Sequence, residues 1–126
     1  MQKDWILEQI EMMTQFLGKV FFQKDLVPEE FYLVDANSLS EGDLTAITVK
    51  RLLSQRRLNE AENLIFEEVE KDPSPRMLKI ACDFYAALME LDEGALEAAQ
   101  FGADEIIEGI RDIQRIYGIK DLGVSG

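Results

Sequence analysis

The chain has 126 residues, 47% of them apolar and 30% charged, and its 25 acidic against 13 basic side chains give a formal net charge of −12. That length suits one folded domain and the apolar content excludes wholesale disorder, while the charge repels phosphate backbones and anionic lipid, so neither nucleic acid nor a membrane is expected as a partner. With no histidine and only Cys82, the sequence excludes histidine-based triads and general bases, the usual zinc and copper ligand sets and an intrachain disulfide.

A reducing cytoplasm is the default compartment for such a chain. The acids Asp4, Glu8 and Glu11 are incompatible with a signal peptide, and no apolar run approaches the ~20 residues of a membrane span.

The first helix is predicted from Asp4, as its cap, to about Lys24, within an N-terminal segment of residues 1–24. Ile6, Ile10, Met13, Leu17 and Val20 form one stripe, widened by Met12, Phe16 and Phe21. A connector follows over residues 25–42. Pro28 breaks any helix entering it, and Phe31 to Val34 is an extended apolar run with no second strand to pair with. Asp35 and Asn37 fit the opening of a calcium loop. Leu39, Ser40 and Ala46 stand where further ligands, a glycine and the closing glutamate are needed, so calcium is excluded.

Helical hairpins are predicted over residues 43–117. The second helix runs from Asp43 to Gln55, with Leu44, Ile47, Thr48, Leu52 and Leu53 inward. Ser40 is its cap and Asp43 the acid of a capping box. Lys50, Arg51, Arg56 and Arg57 gather near its end, where cations suit the helix dipole. The stretch Leu58 to Pro73 reads as the helix around which the chain is organised. Asn59 caps it, Ala61, Leu64, Ile65, Glu68 and Val69 share a face, and Pro73 and Pro75 end it. Pro75 opens a fourth helix to about Leu91. One of its faces carries Leu78, Ala81, Cys82, Tyr85 and Leu88, and another carries Met77, Ile80, Phe84 and Ala87. Cys82 among apolar neighbours is an inert core thiol. The fifth and last helix starts at Asp92 or Glu93 and runs to Tyr117, with Gly118 as its C-cap and residues 118–126 as a frayed tail. The fold class is therefore all-α.

The starts of the second and fourth helices, and of the third and fifth, are offset by a common period of about 34 residues. Leu44 aligns with Leu78 and Ala61 with Ala95. On these positions, and on Ala61-x-x-x-Ile65 followed by Pro73, residues 42 to about 109 resemble a tetratricopeptide helical repeat. Thr45, Thr48, Val49 and Leu52 replace the aromatic, leucine, glycine and tyrosine positions of that pattern, and Ile107 replaces its second proline. The resemblance implies a helical stack whose concave face is lined by Lys50 and Ser54 in one unit and Met77, Ile80, Phe84 and Leu88 in the next. The opening residues Asp4 to Glu11, with Phe16-Leu17-Gly18-Lys19, also resemble a small bacterial family of unknown function, which implies no activity.

No phosphate loop, dinucleotide fingerprint or nucleophile elbow is present. Glu67, Glu68, Glu70 and Asp72 cluster on a helix, but bundle di-metal sites add Glu-x-x-His pairs, so this is a solvated acidic face. The chain is expected to be non-catalytic and to need no cofactor and no metal. It reads as a protein-protein interaction module for a protein or peptide, through Lys50, Ser54, Met77, Ile80, Phe84 and Leu88. The alternative is a self-assembling homodimer built through the N-terminal helix. In either case the first helix, with anchors at Ile6, Ile10, Met13 and Leu17, is expected to fill the apolar part of the groove in its own chain or a partner copy.

Overall fold

The structure, a computed structural model, describes residues 2–23 and 41–119. Among the described residues there are six helices and no strand: α1 (Gln2–Gln23), α2 (Glu41–Ser54), α3 (Leu58–Lys71), α4 (Pro75–Met89), α5 (Glu93–Ala98) and α6 (Ala103–Tyr117). The all-α reading therefore stands. The apolar run at Phe31 to Val34, the Ser40 cap and most of the tail lie outside the described residues.

The centre is α4 rather than the helix at 58–73. It packs against α1, α2, α3 and α6. Met77, Leu78, Ile80, Ala81, Cys82, Phe84, Tyr85 and Leu88 are all buried. A helix apolar on two faces needs cover on both sides. The α2–α3 hairpin supplies one side, and α1 and α6 supply the other. Ile6, Ile10, Met13 and Leu17 of α1 are buried, so these anchors are covered within the chain, while Trp5 and Phe16 are half-buried. Trp5 at the start of α1 lies under the Arg111 guanidinium of α6, 5.2 Å from the ring centroid.

The α2 face is rotated from the expected one. Leu44 and Ile47 are exposed, while Asp43, Thr45 and Val49 are buried and Leu52 and Leu53 half-buried. The polar residues turn inward because they have partners there. Asp43 pairs with Arg76 at the start of α4, and the Thr45 hydroxyl lies 3.5 Å from Glu68 Oε1.

In α3, Leu58, Ala61, Ile65 and Val69 form the buried line, with Leu64 beside it and half-exposed. Asn59 is not the cap. The helix begins one residue earlier, and the Asn59 amide donates to Ala99 O at 3.4 Å. Ile65→Ala is expected to destabilise by about 2–5 kcal/mol, and Leu64→Ala by clearly less. Urea unfolding of the two variants checks this, and equal losses would mean that α3 presents a different face.

The last predicted helix is two helices. α2, α5 and α6 all end in the same hydrogen-bond pattern, with one left-handed residue: Arg56 (φ 60), Gln100 (φ 57) and Gly118 (φ 68). At the α5 end, Phe101 N–H donates to Leu96 O and Gln100 N–H to Glu97 O, both at 2.9 Å. The pairs Arg57 to Leu52 and Ile119 to Gln114 repeat the longer bond at the other two ends. The turn after α5 drives Phe101 into the core, where it is fully buried and meets Phe84 edge-on at 6.2 Å. α5 itself has six residues and none is buried.

Candidate docking surface

Shortening the fifth helix leaves one end of the stack open. Where a full-length helix would continue over α4, there is a cleft of about 700 Å³ between the start of α1, the end of α4, α5 and the start of α6. Its floor is Ile6, Leu88, Leu91, Leu96 and Ile106. Its rim carries Asp92, Glu93 and Glu97 against a single cation, Lys3. Asp92 is engaged as the α5 cap, accepting from Ala95 N–H at 2.7 Å. Glu93 and Glu97 are exposed and one turn apart, with no ion pair among the described residues. The surface is thus apolar below and anionic above.

The six residues expected to line a concave face do not form one open surface. Met77, Ile80 and Phe84 are buried in the core. Lys50 and Ser54 are exposed on α2. Leu88, also buried, lies at the floor of the cleft just described, which none of the other five lines. Sequence reasoning missed Leu91, Leu96, Glu93 and Glu97. The available signal was the run Asp92 to Phe101, which has a cap but no apolar stripe long enough to reach the core.

A second polar feature is internal. The Tyr85 hydroxyl of α4 donates to Glu62 Oε2 of α3 at 2.7 Å, directly against Gly109 of α6. Glu62, beside the buried Ala61, is itself half-buried. Burial raises its carboxyl above the 4.5 of a free glutamate. The tyrosine bond opposes that rise, and Glu105, Asp112 and Glu108 add to it. Burial likewise raises the Tyr85 hydroxyl, assisted by Glu62. A carboxyl whose folded pKa is raised favours the folded state below 4.5, and that contribution is lost as pH rises through the folded pKa. Glu62→Gln keeps an acceptor for Tyr85 without the charge. The variant is therefore expected to gain stability over the native chain between pH 4 and pH 7, with the difference largest at pH 7. Thermal unfolding at the two pH values checks the sign, and a variant less stable at pH 7 than at pH 4, relative to native, would reverse it.

No group of three or more histidine, cysteine, aspartate or glutamate residues among those described is placed to hold a metal ion. Burial pushes the Cys82 thiol up to about 12, with Asp83 adding to the rise and Lys79 opposing it, so it stays protonated at neutral pH. No described helix is long and apolar enough to cross a membrane.

Together these features define an all-α protein in which, among the described residues, four helices pack on a central one and leave an acid-rimmed cleft at one end. The chain belongs to a family of unknown function, DUF6483, whose model matches residues 1–118. That agrees with the resemblance carried by its opening residues. No curated protein and no solved structure matches the chain.

Proposed function

We propose that this protein is a non-catalytic protein-protein interaction module, working in the cytoplasm, whose end cleft receives a segment of a protein partner. The hairpin α2–α3 followed by α4 supports a tetratricopeptide-like arrangement, with helix starts at Glu41, Leu58, Pro75 and Glu93. The observation that carries the reading is the cleft itself: Leu91 and Leu96 stand half-exposed in an open space of about 700 Å³, above the buried Ile6, Leu88 and Ile106, with Asp92, Glu93 and Glu97 at its edge. Apolar surface left accessible in this way typically marks a binding site. α1 packs on α4, and Met77, Ile80 and Phe84 are buried, which favours docking at the end of the stack over docking along α4.

The test is affinity capture from the native cell extract with the full chain and with Leu96→Lys. Leu96 lies on α5, which has no buried residue, so the variant should keep its dichroism and melting temperature. A partner held by the native chain and lost with Leu96→Lys supports the reading. Identical captures by the two chains would overturn it.

A further inference from the structure

The molecule also carries a surface of the opposite kind. Leu44 and Ile47 are 53% and 43% exposed, two of the four large apolar side chains that are exposed among the described residues. They lie one turn apart on the outer side of α2. Lys50 and Arg51 occupy the next turn, and neither forms an ion pair among the described residues. On a chain of net charge −12, an apolar turn followed by two unpaired cations is exceptional.

We propose that the occupant of the cleft is α2 of a second copy of this chain. The two surfaces match in kind and sign. Laid against α5, the apolar turn of α2 covers Leu96, and its basic turn meets Glu93 and Glu97. Neither surface matches itself: two α2 faces bring cations together, and two clefts bring carboxylates together. The contact is therefore head-to-tail, with each copy offering α2 to one neighbour and its cleft to another, and such contacts build open chains or closed rings rather than an isolated symmetric pair. The inference rests on the cleft being a docking groove, as proposed above.

The test uses two variants of the full chain. Leu44→Gln with Ile47→Gln removes the α2 face, and Leu96→Lys blocks the cleft. Glu93→Lys with Glu97→Lys serves as the cleft variant if Leu96→Lys loses its fold. By light scattering, the mass of the native chain should rise with concentration, while each variant alone should stay at the monomer mass. An equimolar mixture of the two retains one intact pair of surfaces and should give twice the monomer mass. A native chain that stays monomeric up to millimolar concentration overturns the inference. So does a native chain that assembles while the mixture does not, because that assembly uses other surfaces. A monomeric chain that still captures a partner through Leu96 would sink this inference and leave the proposed function standing, whereas loss of both would remove both.

Discussion

Phe84→Ala should destabilise the protein by about 3–5 kcal/mol, a large share of the roughly 5–15 kcal/mol that holds a domain of this size folded. Phe84 is 1% exposed at the centre of α4. Its ring meets Tyr85 at 5.2 Å and Phe101 at 6.2 Å, both edge-on, so truncation removes two aromatic contacts and leaves a cavity among rigid neighbours. The experiment also separates two accounts of the residue. On an open concave face, alanine would weaken binding and leave stability nearly unchanged. In the core against Phe101, it lowers the unfolding midpoint whether or not a partner is present. Chemical denaturation reads the difference directly.

Gly109→Ala should destabilise as well, against the usual sign of that change in a helix. Alanine is intrinsically better than glycine there by about 1 kcal/mol. A Cβ at position 109, however, would stand 2.3 Å from the Tyr85 hydroxyl and from Glu62 Oε2, and 3.1 Å from Tyr85 Cζ. Glu62 is half-exposed and can swing aside. Tyr85 is fully buried and cannot do so without disturbing α4. Overpacking of this kind costs about 1–3 kcal/mol, and valine, being larger, should cost more than alanine. In a Tyr85→Phe background the loss from Gly109→Ala should shrink, which a double-mutant cycle in urea measures. A stabilising Gly109→Ala would mean that α6 does not approach α4 as closely as described.

The two results bear on what was legible in the sequence. Helix periodicity and punctuation gave the all-α class and several ends: Pro75 at the first position of α4, a helix start at Asp92 or Glu93, where the structure has Glu93 with Asp92 as its cap, and Gly118 closing α6. These signals are local, and each residue type has one dominant reason to be there. The errors came where the deciding partner is remote in sequence. The face of α2 could not be read from apolar spacing because Asp43 is drawn inward by Arg76, leaving Leu44 and Ile47 outside. The acceptor role of Glu62 is likewise invisible to helix spacing, because its partner Tyr85 lies on another helix. The break between α5 and α6 was missed because Gln100, not glycine, takes the left-handed position, at a cost of about 1–2 kcal/mol that the burial of Phe101 must offset. The candidate site went unread for the same reason, since the cleft exists only because that break shortens α5.

The buried amide pair between α1 and α6 has a kinetic consequence. Gln114 Nε2 donates to Gln9 Oε1 at 2.7 Å across a sequence separation of 105 residues, and Gln9 Nε2 is buried without a partner. Both side chains are almost wholly enclosed, so the seat of α1 is complete only with both α4 and α6 in place. On a ribosome working at about 5–20 residues per second, α1 is made some 5–20 s before Gln114. Until α4 is made, Ile6, Ile10, Met13 and Leu17 have no native surface to cover them, and their cover is completed only by α6. Closing so long a loop is also the slow kind of step in folding. A nascent chain of this protein thus exposes its most adhesive helix early and buries it late. A truncation that removes α6 should therefore show its damage at the opposite end of the chain, as an unprotected and protease-sensitive α1.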